Sequence, residues 1–149
     1  MQSIFKGKKV FITGGAVRIG AQIVRRLVSE GAKVAFTYNK SVDAAFKLLE
    51  EIGGEGAGHS ALYLNLNNKI PEDLYDLCGG ADYLINNASV FFERKIVMES
   101  FDEFERQIKV NFIAPVFLSK LFAKQNRGGA IVNILDCRIN NLERADGSY

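Results

Sequence analysis

Thr13-Gly14-Gly15-Ala16-Val17-Arg18-Ile19-Gly20 decides how this chain is read. The stretch follows a short apolar run, Val10 to Thr13, and precedes Ile19, Ile23, Val24, Leu27 and Val28, which recur at helical spacing until Gly31 stops them. A strand, a glycine-rich turn and a helix in that order allow the backbone to approach a phosphate. Glycine carries no Cβ, and the first amides of a helix have no partner within it. The diphosphate of a dinucleotide is the ligand expected there. The turn lacks the Gly-Lys-Ser/Thr ending of a nucleoside triphosphate loop.

The same alternation continues downstream. Lys33 to Tyr38 reads as a second strand, and Val42, Ala45, Phe46, Leu49 and Ile52 mark a second helix that Gly53-Gly54 ends. Ala61 to Leu66 is predicted as a third strand, the segment around Pro71 to Cys78 as a short helix, and Tyr83 to Ile85 as a fourth strand. A long amphipathic helix is expected from about Phe101 to Gln125, and a fifth strand over Ala130 to Leu135. Strands that are apolar runs, separated by helices, imply a doubly wound parallel sheet covered on both faces. The expected fold is therefore α/β, a Rossmann-type three-layer α/β/α arrangement in which ligands sit beyond the carboxyl ends of the strands. Residues 1–149 are read as a single dinucleotide-binding domain.

Composition narrows the function. Nearly half of the 149 residues are apolar, only two are proline, and the net charge is +2, so the chain reads as globular with no basic block suited to nucleic acid. Cys78 and Cys137 lie far apart and His59 is the sole histidine, which leaves no spacing suited to a metal site. No signal peptide and no apolar run of about twenty residues for a membrane helix is found, so a cytoplasmic protein without membrane or nucleic-acid partners is expected.

The glycine-rich turn resembles the TGxxxGxG pattern of the short-chain dehydrogenase/reductase family, and the resemblance runs along essentially the whole chain. Arg18 stands where that family usually has its middle glycine, as in the pteridine reductases of the family. An arginine there implies contact with the 2′-phosphate of NADP(H). Tyr38-Asn39-Lys40-Ser41, at the end of the second strand, agrees: it offers a cation and hydrogen-bond donors where an NAD-binding protein would place an acid for the ribose. The resemblance assigns Gly14, Arg18, Ile19 and Gly20 to the phosphates, Asn65 and Leu66 to the adenine, and Asn87, Ala88 and Ser89 to the nicotinamide ribose. Asn86-Asn87-Ala88-Ser89 resembles the family's NNAG turn, with serine for glycine as in the pteridine reductases.

The catalytic positions follow the same resemblance. Phe91 could stack on a flat heterocycle lying over the nicotinamide. Asn111 matches the asparagine that helps hold a proton-relay water, although a polar residue in an apolar helical run also suits a plain structural hydrogen bond. Asp136 stands where most members have a substrate-orienting serine, and Tyr149, thirteen residues on, matches the proton donor. A phenol with a pKa near 10 needs a nearby cation to work at neutral pH. The family's lysine would fall four residues beyond Tyr149, outside this sequence. The chain is accordingly expected to be C-terminally truncated, with the last strands of the sheet missing.

The favoured function is an NADPH-dependent reductase transferring hydride to a C=O or C=N bond of a small substrate, with a pterin or dihydrofolate ahead of a 3-oxoacyl chain on a carrier protein. A catalytically silent NADP-binding redox sensor is the alternative. A methyltransferase using S-adenosylmethionine would want an acid after the second strand, which Tyr38 to Ser41 lacks. Family resemblance further implies a homo-oligomer, dimer or tetramer, packed partly through the Phe101 to Gln125 helix. Its apolar residues Ile108, Val110, Ile113 and Val116 suit ordinary core equally well.

Overall fold

A computed structural model describes residues 3–92, 98, 100–125 and 128–136. Five parallel strands, β1 (Lys9–Ile12), β2 (Lys33–Tyr38), β3 (Ser60–Tyr63), β4 (Tyr83–Asn86) and β5 (Ala130–Asn133), form one sheet in the order β3-β2-β1-β4-β5. Helices α1 (Arg18–Ser29), α2 (Val42–Glu51), α3 (Leu74–Leu77), α4 (Phe101–Ile108) and α5 (Ala114–Lys124) connect them. The expected doubly wound α/β sheet is therefore present, and the order reverses between β1 and β4.

Side-chain alternation on the central strands produces the layers. Val10 and Ile12 of β1 point to a core shared with Val24, Leu27, Leu48 and Leu49 of α1 and α2. Phe11, between them, points to the opposite core, where Leu84 meets Leu74 and Tyr75 of α3 and Leu118, Leu121 and Phe122 of α5. The buried Tyr75 hydroxyl donates to the carbonyl of Leu118 at 3.1 Å, which ties α3 to α5, and burial pushes its phenol above the usual range.

Several boundaries differ from the sequence reading, each for a local reason. The third strand ends at Tyr63; Leu64, Asn65 and Leu66 leave the ladder after the Leu64 amide donates to Tyr38 O, and they turn over the carboxyl end of the sheet. The buried stripe of α1 is Gly20, Ala21, Val24 and Leu27, while Ile19 is exposed. On α2, Ala45, Leu48 and Leu49 are buried, and Val42 and Phe46 face outward. The long helix is interrupted by a π-helical segment, Lys109–Ile113, between α4 and α5. One widened turn shifts the faces before and after it. Val110 thus enters the core while Ile108, Ile113 and Val116 remain exposed. Among the described residues, β1, β2 and β4 are buried in their central parts, and β5 is exposed along its length.

Candidate dinucleotide-binding site

The turn after β1 is fixed before any ligand arrives. Thr13 is fully buried, and its hydroxyl oxygen accepts from the amides of Asn87 and Ala88, each at 3.0 Å. The Asn87 side chain returns the contact, donating to the carbonyls of Thr13 at 2.9 Å and Gly14 at 3.0 Å. From the other side, Thr37 of β2 accepts the Gly14 amide on its hydroxyl at 3.1 Å and the Gly15 amide on its carbonyl at 2.9 Å. The turns that follow β1 and β4 are therefore laced together where the strand order reverses. That is the place where open α/β sheets bind ligands.

Two glycines are dictated by this crowding. Gly14 has φ of 64°, and a Cβ there would lie 3.0 Å from the Ala88 Cα. A Cβ on Gly20 would come within 2.1 Å of the Gly14 carbonyl oxygen and 2.8 Å of the Asn87 side-chain nitrogen, so α1 starts against the turn only because Gly20 has no side chain. Arg18 has φ of 52°, the left-handed conformation a glycine adopts freely. Retaining a side chain there costs roughly 1–2 kcal/mol.

The N-terminus of α1 is open. Val17 at its N-cap offers no side-chain hydrogen bond, and the first turn carries no acid. α4 starts in the opposite way: the Ser100 hydroxyl accepts the Glu103 amide at 3.3 Å, the Glu103 carboxylate accepts the Ser100 amide at 3.1 Å, and Asp102 adds a charge. One helix satisfies its own first amides; the other leaves them, with their partial positive charge, facing the groove.

That groove encloses about 800 Å³ and brings together nearly all the residues singled out in the sequence. Gly14, Arg18, Ile19 and Gly20 line it beside Tyr38, Asn39, Lys40 and Ser41 from the end of β2. Asn65 and Leu66 contribute from the segment after β3, and Asn87, Ala88, Ser89 and Phe91 from the segment after β4. Asp136 lines it as well. Tyr149 lies outside the described residues. Asn111 does not line the groove; its side-chain oxygen accepts the Val90 amide at 2.9 Å and its nitrogen donates to the Val90 carbonyl at 2.7 Å. The π-helical segment presents Asn111 as a two-bond clamp on Val90, after β4.

As site residues the sequence reading passed over Thr37 and Arg106, and it took Thr13 only as the end of the first strand and Val110 only as an apolar helix residue. The two threonines could have been found as hydroxyls closing otherwise apolar strands, since a buried hydroxyl requires a partner. Arg106 lies one helical turn before Val110, and both line the groove. Only knowledge of which side of α4 faces the sheet reveals them. A second, shallower groove of about 680 Å³ runs along α1 between Arg18 and Leu27 and shares Arg18 and Ile19 with the first. Gln22, Ile23, Arg26 and Leu27 complete its lining, and Arg26 is paired with Glu30.

The sequence profile of the short chain dehydrogenase family matches residues 8–136. The chain belongs to that family. It is 35% identical over 132 residues to the cyclic-di-GMP-binding biofilm dispersal mediator protein of Escherichia coli, covering 88% of this chain and 54% of that protein. It is 30% identical over 143 residues to the 3-oxoacyl-[acyl-carrier-protein] reductase of Aquifex aeolicus, covering 90% and 57%. The chain spans about half the length of the curated relatives it matches. In structure it is similar to alternative dihydrofolate reductase 1 of Brucella canis, solved with NADP, with a TM-score of 0.81, 31% identity, and 91% and 58% of the two chains covered. Among the described residues, no helix is long and apolar enough to cross a membrane.

Proposed function

We propose that the groove binds NADP(H) and that the protein reduces a C=O or C=N bond of a small planar substrate, a pterin or dihydrofolate in preference to a 3-oxoacyl chain. The observation that carries this reading is the union, in one groove, of an uncapped helix start with Arg18 and Lys40. The amides at Ile19 and Gly20 take the diphosphate. Arg18 and Lys40, with Asn39 and Ser41 beside them, take the 2′-phosphate. Asn65 and Leu66 border the adenine, Tyr38 supports that end, and Asn87, Ala88 and Ser89 hold the nicotinamide ribose.

The glycine turn fits such a group, because Gly20 lets α1 start against the turn with its first amides uncapped and no acid beside them. When bound, the dinucleotide supplies the hydride. The chain's own residues do the rest. Phe91 stacks on the substrate ring, Asp136 orients it by hydrogen bonding, and Tyr149 supplies the proton. Asn111 acts as a positioning residue that fixes Val90 next to Phe91, and the NADP-bound dihydrofolate reductase of Brucella canis supports the choice of cofactor and substrate class. The exposed row Ile108, Phe112, Ile113 and Val116 suits a homo-oligomer contact.

A second reading is a catalytically silent NADP-binding redox sensor, supported by similarity to a relative named for nucleotide binding and biofilm dispersal and not for a reaction. Mixing the protein with NADPH and dihydrobiopterin and following the nicotinamide absorbance separates the two. Dihydrobiopterin-dependent loss of absorbance is expected. Binding of NADPH without turnover favours the sensor, and absence of NADPH binding overturns both.

A further inference from the structure

Four arginines lie among the described residues, and they divide by location. Arg25 is held by Glu51 through two hydrogen bonds, 2.6 and 2.7 Å, and Arg26 pairs with Glu30; neither pair faces the main groove. Arg18 and Arg106 both line that groove, and neither forms an ion pair with a described carboxylate. The 2′-phosphate accounts for Arg18. Arg106 is left without an assignment.

Its surroundings describe a binding position. The guanidinium carbon lies 5.7 Å from the centre of the Phe92 ring, on its face, which holds the planar group in place while leaving its N–H edge available. The acids nearby on α4 do not neutralise it. Glu105 is bonded by Lys109 at 3.2 Å, Glu103 is engaged in the helix cap, and Asp102, one turn upstream, forms no ion pair with Arg106. Phe92 follows Phe91, so the cation sits at the same end of the groove as the aromatic side chain assigned to the substrate ring.

We infer that Arg106 is a specificity-determining residue that selects substrates carrying a carboxylate on an arm attached to the reacting ring. This rests on the pteridine-reductase reading above. The fork of N–H donors on a guanidinium matches the two oxygens of a carboxylate, and such charge-assisted pairs are about twice as strong as neutral hydrogen bonds. Phe91 would recognise the ring and Arg106 the acid at the end of the arm. A folate-type substrate, with its glutamate, satisfies both; a biopterin-type substrate, with a neutral hydroxylated arm, satisfies only the first.

The test uses the protein saturated with NADP+, with folate and biopterin as probes and quenching of pteridine fluorescence as the readout. Wild type is expected to bind folate about tenfold more tightly than biopterin, the size of one good charge-assisted contact. Arg106→Gln should bring the folate Kd to that of biopterin while leaving the biopterin and NADPH Kd values unchanged. Arg106→Lys should retain part of the preference, because it keeps the charge and loses the fork. An Arg106→Gln variant that keeps the folate preference, or weakens both pteridines equally, overturns the inference and leaves the pteridine reading standing. Weakened NADPH binding in that variant assigns the guanidinium to the cofactor and overturns it as well. Wild type that binds neither pteridine removes the pteridine reading, and the inference with it.

Discussion

β2 and β5 flank the same central pair of strands from opposite sides and are built from similar residues, yet they are closed very differently. Val34 and Phe36 of β2 have no exposed surface, because β1 and β3 pair with both edges and α1 and α2 cover one face. Ile131 and Val132 of β5 are 39% and 45% exposed, and among the described residues the strand pairs with β4 alone. One further tie is the Asn86 side chain, whose nitrogen donates to Asn133 at 2.9 Å. The helix start and turn proposed to hold the cofactor thus belong to a self-supporting unit, β1-α1-β2 with the β4 turn. Among the described residues, the strand leading to Asp136 is held by one ladder.

The comparison breaks first at Gly20. Gly20→Ala should weaken NADPH binding by about a hundredfold or more and destabilise the chain by roughly 1–3 kcal/mol, since the added methyl would meet the Gly14 carbonyl and the Asn87 side chain bonded to it. A fluorescence titration with NADPH beside a urea melt checks both; unchanged binding would mean that α1 can withdraw from the turn at no cost.

A matched pair of strand variants comes next. Val34→Ala should lower stability by about 2 kcal/mol through lost burial and a cavity. Val132→Ala should change it by less than about 0.5 kcal/mol, as exposed positions do. Urea midpoints measured side by side would erase the contrast if the two losses were equal.

His59 sharpens the account of the closed edge. Just before β3, its Nδ1 accepts the buried Val34 amide at 3.1 Å, adding one rung to the β2–β3 ladder with a side chain. Burial, and then the Lys33 charge beside it, hold its pKa below the usual 6.5. A neutral imidazole is needed to accept, so the unfolded chain binds the proton more readily. The contribution is complete above pH 6.5 and is lost as pH falls through the lower folded value. His59→Leu should cost about 1–2 kcal/mol at pH 7.5 by orphaning the Val34 amide. Urea melts across pH 5–8 should show the wild type losing stability on the acid side and the variant losing less.

A small effect of opposite sign is expected at Arg18. Arg18→Gly relieves the left-handed strain but adds glycine's entropy to the unfolded chain, so a net gain of about 0.5 kcal/mol is expected, with weaker NADPH binding. A thermal melt showing a loss of stability would mean that Arg18 makes contacts that outweigh its strain.

Much of this was legible in the residues. β2 was bounded as observed because Gly31 and the polar Asn39-Lys40-Ser41 stretch punctuate it on both sides. The groove lining was legible because residues that follow parallel strands must converge at one edge of the sheet. The π-helical segment was not, since one extra residue in a turn leaves an amphipathic pattern nearly intact, and the helix around Asn111 read as continuous. Nor was the end of β3: Leu64 and Leu66 are as apolar as strand residues, but they are buried beyond the ladder, against the opposite core. Arg106 was hidden for a related reason, because the side of α4 that faces the groove is set by packing against Val110 and not by the sequence around the arginine.

The central claim is that an open helix start and two cations in one groove recognise a phosphorylated dinucleotide. It is tested most directly by Kd values for NADPH and NADH in wild type and in the double variant Arg18→Ala, Lys40→Ala. The account predicts that wild type prefers NADPH by about a hundredfold, from two charge-assisted contacts, and that the double variant loses this preference while its NADH Kd stays the same. An unchanged preference in the double variant, or a groove that takes up neither dinucleotide at saturation, would contradict it.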